Sequence, residues 1–77
     1  MKEVVLYTRE ECSLCKTARA VLLAVKREVD FTYREVDIDS DPELFEEHKH
    51  DIPVIEIDGR RAFKHRVDAQ ELRKKLA

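Results

Sequence analysis

The only cysteines of the chain, Cys12 and Cys15, stand three residues apart in the stretch YTREECSLCKTARAVLL. A pair at this spacing can be a redox couple, half of a metal site, or two small hydrophobes packed in a helix. The residues that follow bear on the choice. Leu14, Ala18, Val21, Leu22, Val25 and Val29 recur in steps of three and four, an apolar stripe with Lys16, Arg19, Lys26 and Arg27 mostly outside it, and this pattern predicts a helix from Cys12 onward. Cys12 then sits near the helix start, where unpaired backbone N–H groups and the macrodipole favour an anion. That environment lowers a thiol pKa and makes Cys12 the attacking thiolate. Cys15 lies one turn on, at a spacing where side chains meet and can close a disulfide. It also leads into the stripe at Ala18, which suits a sheltered resolving thiol.

The metal reading needs two further ligands, and His48 and His50 are the candidates for zinc. Their H-x-H spacing is tighter than the usual zinc pattern, and the stretch separating them from Cys15 is about twice the finger-type length. Both histidines also fit a helix end, where they complement the dipole. The site is therefore read as redox-active and metal-free.

Composition bounds the rest. A chain of 77 residues holds one domain, residues 1–77, with a core that must be well packed to be stable. Charged residues make up 42% with a net charge of only -2, both signs interspersed, so no basic field argues for nucleic acid. No membrane span or signal peptide is evident, because MKEVVLY enters a strand pattern directly. The expected setting is cytoplasmic, where thiols are kept reduced and a C-x-x-C pair is more often catalytic or metal-binding than a permanent staple. Asn and Trp are absent, and Gln70 and Met1 are single. This is the bias of thermophile proteins, although so short a chain also reaches it by chance.

The elements that must position the pair can be read in order. Val4–Tyr7 is a continuous apolar run, as in a strand covered on both faces. Phe31–Ile38 is a second strand, rich in β-branched and aromatic residues. SDPEL starts a short helix, with Ser40 or Asp41 as cap, Pro42 in the first turn and Glu43 closing a capping box with Ser40. Leu44, Phe45 and His48 form its inward side. Asp58-Gly59 joins two further strand-like runs as a hairpin, and Asp68 with Glu71 caps a last helix carrying Ala69, Leu72 and Leu76 on one face. The order β-α-β-α-β-β-α implies an α/β domain, one four-stranded mixed sheet with helices on both faces.

This arrangement resembles the thioredoxin fold in its minimal form, and specifically the small glutaredoxin-like proteins. The resemblance covers nearly the whole chain and rests on VVLYTREECSLC, REVDIDSDPEL, IPVIEIDG and the terminal helix. It implies a thiol–disulfide oxidoreductase working by dithiol exchange. It implies that Pro53 is cis and that the Ile52 backbone pairs with an extended peptide or glutathione like an added strand. Read without the cysteines, Ile52-Pro53 favours the trans start of an edge strand; with them it favours cis. Many glutaredoxins carry Lys where Arg9 stands, to contact a carboxylate of glutathione; Arg9 can do this bidentately, while Glu10 and Glu11 oppose a thiolate.

The chain also departs from the family pattern. Ser13 and Leu14 replace the common Pro and Tyr, leaving Leu14 as an apolar contact beside the thiol. The Gly-Gly pair that holds the glutamyl end of glutathione is missing from AFKHRVDAQEL, where Lys64, His65 and Arg66 stand instead. Glutathione is thus a doubtful ligand and remains an electron-donor candidate beside a flavoprotein reductase. The expected substrate is a disulfide-bearing protein or small molecule, the expected cofactor none, and the expected state a monomer. The competing function is a non-enzymatic binding module of the same fold, holding zinc through the cysteines.

Overall fold

A computed structural model describes residues 1–77. Its elements are β1 (Glu3–Thr8), α1 (Ser13–Lys26), β2 (Thr32–Asp37), α2 (Pro42–His48), β3 (Val54–Ile57), β4 (Arg60–Lys64) and α3 (Ala69–Leu76), with one 3-10 turn at Ile38–Ser40. The sheet order is β2-β1-β3-β4. β1 runs parallel to β2 and antiparallel to β3, and β3 runs antiparallel to β4. The α/β class, the four-stranded mixed sheet and the element order are those expected.

Period-two alternation divides the work of the two faces. Val4 and Leu6 of β1 and Ile55 and Ile57 of β3 turn to one side, where they meet Ala18, Leu22 and Val25 of α1 and Leu72 and Leu76 of α3. Phe31, buried just before β2, completes this core. Full burial of each large aliphatic side chain contributes about 1.5–3 kcal/mol, so this layer dominates stability. On the other face the short α2 covers Tyr7, whose ring stacks on His48 at 4.5 Å between centroids.

The connections follow local chemistry, with two corrections. Asp41, and not Ser40, caps α2: its carboxylate accepts the Glu43 N–H at 2.9 Å. The Ser40 hydroxyl instead donates to the Asp37 carbonyl at 2.6 Å, so the expected capping box does not form. β2 ends at Asp37 because that side chain accepts the Asp39 N–H and starts the 3-10 turn, taking Ile38 out of the strand and into the core. Asp58 and Gly59 both have positive φ, 52° and 82°, the hairpin geometry that favours this dipeptide. A register shift between Ile55 and Glu56 inserts Ala62 as a bulge in β4. Asp68 caps α3 by accepting N–H groups of Gln70 and Glu71.

Candidate functional site

β1 and β2 run in the same direction, so their carboxyl ends open at one edge of the sheet, where open α/β sheets commonly bind ligands. The chain leaves β1 at Thr8, passes through Glu11 with φ of 56°, and enters α1 with Cys12 as N-cap. The helix therefore begins at Ser13, one residue later than the apolar spacing suggests. Cys12 Sγ accepts the Cys15 N–H at 3.1 Å, doing with sulfur what a serine or aspartate oxygen does at most N-caps. Its Cα lies 5.2 Å from that of Cys15, and the two sulfurs are in disulfide contact. Cys12 is half-buried, whereas Cys15 is 1% exposed. The pair thus has an outer and an inner member.

One concavity opens on both cysteines, and a second lies further along α1, lined by neither. The larger, about 420 Å³, runs along Thr8–Cys12 and on past Lys16, Arg19, Glu35 and Asp37. At its far wall Arg19 grips Glu35 bidentately, at 2.7 and 2.8 Å, and the Tyr33 hydroxyl donates to the same carboxylate at 2.6 Å. The Arg19 hydrogen bond holds the Glu35 carboxyl below the usual carboxylate range. Burial, then the Glu35 carboxylate, push the Tyr33 phenol well above its ordinary value. Glu35 is therefore a fixed anion rather than a proton acceptor.

The smaller cleft, about 180 Å³, lies between α1 and the β4–α3 loop, with Leu14, Ala18 and Val21 on one side and His65, Arg66 and Val67 on the other. Leu14 is 38% exposed although it begins the apolar stripe, because the stripe runs off the end of the core there. The Ile52–Pro53 bond is cis. Pro53 is buried and its carbonyl accepts the His65 N–H at 2.7 Å. Ile52 donates its N–H to the His48 carbonyl at 3.2 Å, so that N–H is already engaged within the protein.

Arg9 also differs from a free ligand-binding group. Its Nε bonds to Asp39 Oδ2 at 3.1 Å and its guanidinium lies 5.1 Å over the Phe45 ring. It still borders the larger groove, but α2 and the 3-10 turn hold it. The rival zinc set does not assemble. His48 is buried against Tyr7, with its Nδ1 unpartnered, His50 is exposed, and no group of three or more His, Cys, Asp or Glu side chains converges anywhere.

Two features escaped the sequence reading. The Arg19–Glu35–Tyr33 cluster joins residues of different elements. Its one legible signal is the alternation Tyr33, Glu35, Asp37 along β2, which places three polar groups on one face. The second is His65, which takes φ of 67° and donates Nε2–H to the His50 carbonyl at 3.1 Å. KHRV marks it only weakly: histidine is enriched at positive φ among non-glycine residues, but the conformation ordinarily selects Gly or Asn.

The sheet order, the C-x-x-C pair at the start of α1 and the cis-proline before β3 define a thioredoxin-like fold carrying a cysteine pair at disulfide distance. Within that class the chain belongs to the glutaredoxin-like domain family (DUF836), whose model matches residues 3–77. A curated relative, the glutaredoxin-like protein YDR286C homolog of Dictyostelium discoideum, is 39% identical over 72 residues, covering 86% of this chain and 67% of the relative. Among solved structures, protein Ne2328 of Nitrosomonas europaea superposes with a TM-score of 0.86 at 22% identity, over 99% of this chain and 92% of its own. A structural-genomics target protein from X. campestris gives 0.79 at 29% identity, over 95% and 93%. Oxidised mitochondrial thioredoxin 3 of Saccharomyces cerevisiae gives 0.72 at 20%, over 97% and 76%. No helix of the chain is long and apolar enough to cross a membrane.

Proposed function

We propose that this protein is a dithiol–disulfide oxidoreductase, with Cys12 as nucleophile and Cys15 as resolving thiol. The observation that carries the reading is the asymmetry of the pair: Cys12 is half-open at the helix cap, and Cys15 is buried behind it within disulfide reach. In the reductive direction the Cys12 thiolate attacks one sulfur of a target disulfide. That S–S bond breaks, and the departing thiolate takes a proton. The Cys15 thiol then loses its proton, attacks Cys12 Sγ and releases the second target thiol. Two electrons and two protons have passed from the protein dithiol to the target, and the protein is left as the Cys12–Cys15 disulfide. An external thiol donor, glutathione or a flavoprotein reductase, resets it. We place this cycle in the cytoplasm, with the protein acting as a monomer.

The test is a redox titration in graded glutathione buffers, counting alkylatable thiols by mass, together with two variants. A single two-electron transition between about -270 and -180 mV, the range from thioredoxin to protein disulfide isomerase, supports the couple. Cys12→Ser is expected to abolish disulfide reduction, and Cys15→Ser to accumulate the mixed disulfide on Cys12. Absence of an intramolecular disulfide at every poise would sink the proposal, as would full activity in Cys12→Ser.

A further inference from the structure

The groove that opens on both cysteines carries charges of both signs. Its carboxylates come from Glu10, Glu11, Glu35 and Asp37, and its cations from Arg9, Lys16 and Arg19. Two of the cations are neutralised where they stand: Arg19 closes on Glu35 at 2.7 Å and Arg9 on Asp39 at 3.1 Å. Asp37 is engaged by the Asp39 N–H at 2.9 Å. Glu10 and Glu11, both exposed, directly precede Cys12, and their charge disfavours a thiolate there.

Lysines outside ion pairs are common on this surface, and position is what sets Lys16 apart. It stands one helical turn beyond Cys12, and its N–H donates to the Cys12 carbonyl at 3.2 Å, closing the first turn of α1. Side chains at this spacing lie on one side of a helix, with Cβ atoms about 5–6 Å apart. Cys12, Cys15, Lys16 and Arg19 accordingly line one groove, and the Arg19–Glu35 pair ties the far end of that helix face to β2. No other cation of the groove combines a place on this face beside the sulfurs with a charge that no carboxylate has taken up.

Resting on the disulfide-exchange reading above, we infer that Lys16 is the residue whose charge sustains the Cys12 thiolate against Glu10 and Glu11. It acts through its field on the sulfur and needs no contact with substrate. A unit charge at roughly 6 Å in water-like surroundings moves a thiol midpoint by about half a pH unit at low salt, and reversing that charge doubles the shift. The end of α1 favours an anion equally whatever side chain stands at position 16, so variants there isolate the ammonium. The midpoint is the quantity to follow, because a thiolate of lower pKa is also less nucleophilic and rates at one pH partly cancel the effect.

The experiment follows the pH dependence of iodoacetamide alkylation of Cys12 in the Cys15→Ser protein, where a single thiol titrates. At low ionic strength Lys16→Gln should raise the midpoint by about half a pH unit and Lys16→Glu by about one, while Lys16→Arg should leave it in place. Lys26→Gln removes the same charge from the same helix about 21 Å along its axis from Cys12, and should not move the midpoint. The Lys16 shifts should shrink as salt is added. A merely structural role for Lys16 would lower the melting temperature of its variants with the midpoint unmoved. An unmoved midpoint in both Lys16→Gln and Lys16→Glu, an equal shift in Lys16→Arg, or an equal shift in Lys26→Gln would each overturn the inference. Alkylation needs no target disulfide, so this result separates from the redox titration: a wild-type protein that never forms its disulfide sinks the exchange reading, and the midpoints still decide the role of Lys16.

Discussion

Replacing Cys12 by aspartate and by asparagine asks whether the head of α1 favours an anion, which is the physical basis for a thiolate there. Both residues are good N-caps, so each can accept the Cys15 N–H that Sγ now accepts at 3.1 Å. They differ only in charge. The helix has no acidic residue in its first turn, so its N-terminal dipole is uncompensated, and an anion there is worth about 0.3–1 kcal/mol. A hydrogen bond to a charged acceptor adds about 1 kcal/mol over a neutral one. Against this stand Glu10 and Glu11, both exposed, whose repulsion in water at physiological salt amounts to a few tenths of a kcal/mol each. The favourable terms win, and the aspartate variant should be more stable at pH 7 by about 0.5–1 kcal/mol. With a urea slope near the low end of the usual range, about 1 kcal/mol per M, its unfolding midpoint should lie about 0.5–1 M higher.

The pH dependence supplies the sign. A carboxylate favoured in the folded state has its pKa depressed there, so the advantage is complete above the unfolded value, about 3.9, and disappears as pH falls through the folded one. An asparagine variant as stable as the aspartate at pH 7 would refute the reasoning and show that Glu10 and Glu11 outweigh the helix end. In that case Cys12 would need another source of thiolate character.

Two more perturbations follow from the geometry. Glu35→Gln removes the charge that Arg19 and Tyr33 share and should cost about 1 kcal/mol at neutral pH, since bidentate pairs lie at the upper end for partly exposed ion pairs. Because the folded-state pKa of Glu35 is lowered, that difference should vanish as pH falls through the carboxylate range; a penalty persisting undiminished in acid would point to packing instead. Gly59→Ala should cost about 1 kcal/mol, read as a lowered melting temperature. An added Cβ meets no atom within 4 Å, so the penalty comes wholly from φ of +82°, and an unchanged melting temperature would contradict it.

What could be read from the chain beforehand was whatever local periodicity or local chemistry encodes. The stripe through Ala18, Leu22 and Val25, the Asp58-Gly59 hairpin and the Asp68 cap each involve residues within one or two turns of each other, and each appears as expected. The pair Cys12 and Cys15 belongs to the same group. Caps are less determined where two candidates compete: Ser40 and Asp41 are adjacent, and Asp41 wins because Asp37 draws the chain into a 3-10 turn that engages Ser40 itself. The features around the pair are of another kind. Arg9 meets Asp39 across 30 residues, Arg19 meets Glu35 across 16, and His65 reaches back to Pro53 and His50. Such contacts depend on which strand lies beside which, a property of the assembled sheet. Arg9 looked like a ligand group because its partner, Asp39, was out of view.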